Sequence, residues 1–330
     1  MNKNTGIRKF LSTKSFPIIT VLVIVIIGTT IMNKNFLSRD NIKLILFSCA
    51  LSGMISVGVG CVLVSGNMDL SCAAVGCMSG ILITFVLNAG VPFVLALIVV
   101  LAFGAVIGLF NSLLSFKLKL MPFIVTLSTL SILQGLGNVV TNNATVMNTN
   151  QSFWQFCGGT LFGIIPYSFI YFCILAIIYG FILSSTKFGR KIYMVGGNRS
   201  AARLAGISIE KMGTIIMVNN SVIAAFAGAI VSGRMHSGDP AAIHGTQLTA
   251  ITAVVMGGVA FGGGGGGMLG AFFGILLLSV FNNALTVVGL GSYWQIFMSG
   301  VLLICALMLD LLNTRRSEKA LKLMTAAAAQ

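Results

Sequence analysis

The sequence predicts an all-α, polytopic membrane protein of about ten transmembrane helices, with both termini on the cytoplasmic side. Three observations carry that expectation. Hydrophobic residues make up 57% of the 330 and charged residues only 8%, with a mean hydropathy of +1.02, far outside the composition of soluble domains. The apolar residues are gathered into runs of roughly the length that crosses a bilayer. The basic residues between those runs are dense on one side of the membrane and sparse on the other.

In chain order the apolar runs fall at 16–32, 44–65, 71–88, 92–116, 122–141, 165–185, 214–233, 248–261, 268–288 and 294–312, the eighth being short. With the N-terminus inside, sixteen of the 20 Lys and Arg residues lie in cytoplasmic segments; only Lys34, Arg39, Lys43 and Arg234 fall outside. One missed or invented span would invert every later loop, so this bias supports an even count. The first run is expected to stay as a span, since no small-residue cleavage site follows it. The expected organisation is a cytoplasmic tail at 1–15, one transmembrane domain at 16–312 and a second cytoplasmic tail at 313–330.

Composition argues against an enzyme. The six acids, Asp40, Asp69, Glu210, Asp239, Asp310 and Glu318, are scattered, and there are only two histidines, so no catalytic cluster is expected. His236 and His244 share an outer loop with Asp239 as its one carboxylate, and no metal site is expected there. The seven cysteines lie almost wholly inside apolar runs at no metal-like spacing and read as packing residues. The net charge of +14 follows from the cytoplasmic loops, so no nucleic-acid partner is expected.

Within the spans, glycine and amides stand out. Runs such as "SGMISVGVG" (52–60) and "GAVIG" (104–108) let helix backbones approach closely in lipid. Asn111, Gln134 and the pairs Asn219–Asn220 and Asn282–Asn283 are flanked by apolar sequence. An unpaired amide in hydrocarbon is costly, so these should face the bundle interior, as interhelical glue or as the lining of a solute pathway. Two runs are interrupted: "SGNMDLS" (65–71), with Asn67 and Asp69, and "FGGGGGGMLG" (261–270). Both are expected to be tight cytoplasmic turns, with Asp69 capping the helix that follows; a broken helix lining a cavity is the alternative, and it adds Asn67 and Asp69 to the candidate pathway residues.

The segment 186–213 is basic and lies between two apolar runs. From Asn198 to Gly206 it reads as a complete two-turn helix: Asn198 can cap the start, alanines and a leucine fill it, and Gly206 can close it in the left-handed conformation. Such a helix is unstable alone in water and must be held by something it packs against. Arg199 and Arg203 lie four apart on one face and repel unless an acidic surface answers them. The chain has few acids, so a partner protein or anionic lipid is expected to do so.

These residues carry a resemblance. "GGNRSAARLAGI" (196–207) is similar to the coupling segment of the ribose and simple-sugar permeases of ATP-binding cassette importers, whose pattern is Gly-Gly-Asn, two variable residues, Ala-Ala-Arg-Leu, one variable residue, Gly-Ile. "SGNMDLS", "PFIVTLSTL" (122–130), "AVVMGGVAFGGGGGGMLGAFFG" (253–274), "SYW" (292–294) and "LMLD" (307–310) resemble other segments of that family in the same order.

The resemblance implies the transmembrane subunit of a sugar importer in a bacterial cytoplasmic (inner) membrane. Its implied partners are a second permease subunit, identical or different, cytoplasmic ATPase subunits that bind ATP and Mg, and a periplasmic or lipid-anchored solute-binding protein. The chain itself needs no cofactor. The resemblance assigns Gly196, Gly197, Asn198, Ala201, Ala202, Arg203, Leu204, Gly206 and Ile207, with the intervening Arg199, to the segment that docks on the ATPase. The chain departs from the pattern at Gln247 and Thr249, where the family usually has Glu and Asp, at Gly265 in place of arginine, and at Asn67 in place of glycine. A charge network in relatives, lost here or shared with another subunit, would account for the first three. Competing expectations are a nucleoside or branched-chain amino-acid permease, an ion-coupled secondary transporter using Asp69, and a non-transporting scaffold.

Overall fold

The computed structural model describes residues 16–328, with side chains described from 18 to 312 apart from Leu309, so the expected tail at 1–15 lies outside it. The chain is mostly helical. In order come α1 (Phe16–Met32), α2 (Arg39–Val64), α3 (Cys72–Asn88), α4 (Phe93–Ser112), α5 (Pro122–Thr141), α6 (Gln151–Gly158), α7 (Tyr167–Ser185), α8 (Lys187–Gly197), α9 (Arg199–Leu204), α10 (Ile209–Met235), α11 (Thr246–Met256), α12 (Met268–Val287) and α13 (Ser292–Ala328). Each of the ten expected apolar runs contains a helix. Among the described residues seven helices are long and apolar enough to cross a membrane, while the apolar helices Ile18–Met32, Cys72–Asn88 and Thr246–Met256 are shorter.

α2, α3 and α10 form the centre, with twelve of the 17 residues of α3 buried. The apolar stretches of α2 and α10 are 78% and 67% buried, against 22% for α4 and α7 and 6% for α13, so the latter three present their sides to the surroundings. Small residues set this arrangement. A methyl group on Gly228 of α10 would strike the backbone of Gly76 on α3, and one on Gly108 of α4 would lie 2.5 Å from the Cα of Val218 on α10. In lipid, close backbone approach of this kind supplies the van der Waals contact that apolar burial cannot.

Two details depart from expectation. The eighth run does not reach Phe261: α11 ends at Met256, and its eleven residues span only about 16 Å, half of a bilayer core. The last helix runs unbroken through position 312 to Ala328, so no break marks the expected start of a tail. At the end of the bundle away from α8 and α9, two-residue strands clasp the loops: β1 (Val146–Met147) pairs antiparallel with β4 (Ser237–Gly238), and β2 (Thr160–Leu161) with β3 (Ile165–Pro166).

Candidate functional site: a capped helix on a glycine junction

The segment 186–213 folds as two helices. The sequence reading had only the second. Thr186 caps α8 by accepting from the amide of Gly189 at 3.0 Å, and α8 buries Ile192 and Val195. The apolar spacing of Phe188, Ile192 and Val195 was the available signal for it. Asn198 then caps α9, its Oδ1 accepting from the amide of Ala201 at 2.9 Å. At the other end Gly206 takes φ +77°, with its amide bonded to the carbonyl of Arg203 at 2.9 Å and that of Ile207 to the carbonyl of Ala202 at 3.0 Å. These two bonds make a Schellman closure.

The short helix therefore has both ends tied, which offsets its lack of intrinsic stability. Ala202 is fully buried beneath it, whereas Leu204 is 92% exposed at its tip. Gly196 and Gly197 end α8, Asn198 joins the two helices, and Ala201 and Arg203 face outward beside Leu204.

The arginines are answered within the chain, which corrects the expectation of an external acid. Arg203 pairs with Glu210 at 2.9 Å, the one ion pair among the described residues, and both side chains are more than half exposed. Arg199 donates to the carbonyl of Gly66 and to Oδ1 of Asn67, each at 2.9 Å.

Beneath α9, three glycine-bearing segments converge: the loop 65–71, the end of α8 and the loop 257–267. The amide of Gly264 donates to the carbonyl of Val64 at 2.8 Å, and the hydroxyl of Tyr193 to the carbonyl of Gly266 at 2.7 Å. A methyl group on Gly263 would lie 2.6 Å from the Cα of Gly66, one on Gly264 2.5 Å from the Cα of Gly197, and one on Gly196 would strike the carbonyl of Val64. Asp310 of α13 accepts from the amide of Phe261 at 3.2 Å and ties that loop from outside.

Asp69 does not cap α3. The helix begins at Cys72 after Ser71, which makes no side-chain cap, and Asp69 instead anchors a buried polar chain. Its Oδ1 accepts from the amide and hydroxyl of Ser71 at 2.8 and 2.6 Å, and its Oδ2 from Nδ2 of Asn220 at 2.8 Å. Asn111 donates to Oγ of Ser71 at 3.0 Å, and Thr129 donates to Oδ1 of Asn111 at 2.6 Å. All five side chains are buried, so these bonds act in a medium of low dielectric, where leaving one partner unpaired is costly. With Ser65, Asn67, Asp69 and Ser71 all buried, the loop 65–71 is irregular backbone enclosed by protein.

The other amides are dispersed. Asn219 accepts from the hydroxyl of Tyr179 on α7, and Asn283 exchanges two 2.9 Å hydrogen bonds with Asn41 at the start of α2. Asn282 keeps a buried Oδ1 with no hydrogen-bond partner among the described residues, and Gln134 sits half-buried on α5. The candidate pathway residues thus do not form one line: Asp69, Asn111 and Asn220 are joined, Asn67 belongs to the Arg199 contact, and Asn282 and Asn283 lie toward the opposite end of the bundle. Gln247 lies in the first turn of α11 and Gly265 in the loop beyond its other end. Near the start of α2 and the end of α10 an open cavity of about 480 Å³ is lined by Lys43, Gln151, Trp154, Gln155, Arg234 and His236.

The family model described as "Branched-chain amino acid transport system / permease component" matches residues 41–307. The chain belongs to this family. Among curated relatives, the ribose import permease protein of Bacillus subtilis (strain 168) is 36% identical over 296 residues, covering 89% of this chain and 91% of the relative. The ribose import permease protein of Escherichia coli (strain K12) is 32% identical over 298 residues, covering 89% and 92%. The L-arabinose ABC transporter permease protein of Azospirillum brasilense is 29% identical over 304 residues, covering 92% and 89%. No solved structure matches the chain. The protein is a multi-pass membrane protein of this permease family, and the relatives above are named as ribose and arabinose permeases, transport components of their systems.

Proposed function

We propose that the chain is the membrane-spanning subunit of an ATP-driven importer for a monosaccharide such as ribose or a related sugar. A solute-binding protein, periplasmic or lipid-anchored, delivers the sugar, and the loop 234–247 with the adjoining outer cavity is its landing place. A separate cytoplasmic ATPase binds ATP and Mg and pushes on the segment 186–213. The chain crosses the bacterial inner membrane ten times with both termini in the cytoplasm, the membrane domain being 16–312 with tails at 1–15 and 313–330. It works beside a second permease subunit, identical or different.

The observation that carries this reading is Leu204, 92% exposed on a helix whose two ends are both capped. An apolar side chain on a rigid, projecting helix is shaped to fill a pocket on a partner, because little conformational entropy is left to lose on docking. Arg203, Ala201 and Gly206 surround it, and Gly196, Gly197, Asn198, Ala202 and Ile207 set its height and angle. The cargo assignment leans on relatives named for ribose and arabinose. A branched-chain amino-acid cargo is the second reading, favoured by the family description itself.

Reconstitution in proteoliposomes with the cognate ATPase and binding protein tests both. The proposal expects uptake of labelled ribose or arabinose that requires ATP and is not competed by leucine. Leucine uptake would replace the sugar reading, and uptake that survives removal of the ATPase but collapses with an ion gradient would overturn the importer reading.

A further inference from the structure

Arg199 stands at a position that the resemblance leaves variable, yet its guanidinium reaches 133 residues back along the chain. Its two acceptors, the Gly66 carbonyl and the Asn67 carboxamide, both belong to the loop 65–71. Asn67 is itself oriented, its Nδ2 donating to Oγ of Ser65 at 3.0 Å. Two residues on, Asp69 is 2% exposed and bonded to Asn220 of α10. Asn220 lies about 16 Å along α10 from its start at Ile209. Among the described residues the Asp69–Asn220 bond is the side-chain hydrogen bond that joins this loop to α10. The remaining oxygen of Asn220 is packed against Gly58 and has no hydrogen-bond partner among the described residues, so one donor carries the attachment.

We infer that the loop 65–71 is a joint, gripped on one side by Arg199 and attached on the other to the middle of α10 through Asp69 and Asn220. This rests on the reading of α9 as the ATPase-facing lever. Chain connectivity alone, through Ala205 to Ser208, moves only the near end of α10. The joint adds a second attachment well inside the bundle, and two attachments separated along a helix turn a push into a tilt. Arg199 and Asn220 are positioning residues: neither needs to touch solute or nucleotide. Arg203, engaged with Glu210 on the outward side, is not part of the joint.

The test is a double-mutant cycle on the complete transporter, with Arg199→Ala, Asn220→Ala and the pair, reading sugar taken up per ATP hydrolysed together with the amount of ATPase retained on purification. Each single variant is expected to lower uptake per ATP by about five-fold with ATPase retention unchanged, and the pair to be no worse than the worse single variant, because both break one connection. Effects that multiply in the pair would overturn the joint, as would loss of ATPase retention in Arg199→Ala, which would make Arg199 a docking residue. Asn220→Leu, which removes the same donor while keeping the side chain's volume, replaces Asn220→Ala if that variant fails to assemble. Hydrogen exchange on the permease alone separates this inference from the importer reading: Arg199→Ala should speed exchange at the amide of Leu70, now bonded to Oγ1 of Thr126, whether or not any ATPase binds. Unchanged exchange there sinks the joint and leaves the importer reading standing.

Discussion

The two interrupted segments, 65–71 and 257–267, meet at the same junction but are held in opposite ways. The first is stapled by side chains: Ser65, Asn67, Asp69 and Ser71 all hydrogen-bond, and Arg199 grips it from outside. The second has almost no side chains to use and is held through its backbone, by Gly264 to Val64, Gly266 to Tyr193 and Phe261 to Asp310. The polar loop can therefore be loosened one hydrogen bond at a time, whereas the glycine loop depends on main-chain contacts too close for any Cβ.

The largest effect should come from the glycine loop. Gly264 combines φ +72° with a Cβ position 2.5 Å from the Cα of Gly197, so Gly264→Ala adds backbone strain to overpacking and should cost about 3 kcal/mol. Gly262, two residues away, has nothing within 4 Å and no positive φ, and Gly262→Ala should stay within about 0.5 kcal/mol. Thermal unfolding in detergent compares the two. Equal losses would show that the run is sensitive throughout and that the backbone contacts do not explain it.

In the polar loop, Asp69→Ala leaves the amide of Asn220 and the hydroxyl of Ser71 without their acceptor in a buried setting, at a cost of about 2 kcal/mol. Asp69→Asn keeps an acceptor and should recover part of that loss. Complete insensitivity of unfolding to both would remove the staple from the comparison.

At the exposed tip, Leu204→Glu should leave unfolding unchanged while cutting retention of the ATPase about ten-fold, equal to about 1.4 kcal/mol of binding. Smallest of all is Glu210→Gln, which breaks an ion pair that lies more than half in solvent; a loss under about 0.5 kcal/mol, shrinking further in high salt, is expected from unfolding at two ionic strengths.

What was legible in the sequence was local. Ten apolar runs each contain a helix, and Asn198 and Gly206 cap α9 as their chemistry dictates, because a cap bonds to amides and carbonyls only a few residues away. What was not legible was long-range. The six glycines from 262 to 267 look alike as letters, yet only Gly263, Gly264 and Gly266 adopt positive φ, a difference set by Gly66 and Gly196 far along the chain and by the turn back onto Val259. Asp69 stands before a helix as a cap would, but one of its buried partners, Asn220, is 151 residues away. The answer to Arg203 stands seven residues on at Glu210, and the scarcity of acids in the chain hides it although its place just beyond Gly206 does not.

The central claim is that force enters the bundle through α9. A cysteine at Ala201, exposed on that helix, cross-linked in the assembled transporter, tests it most directly. The account predicts that Ala201→Cys cross-links to the ATPase subunit and that uptake stops until the link is reduced. An ATPase that binds normally, fails to cross-link at 201 and supports full uptake would contradict it.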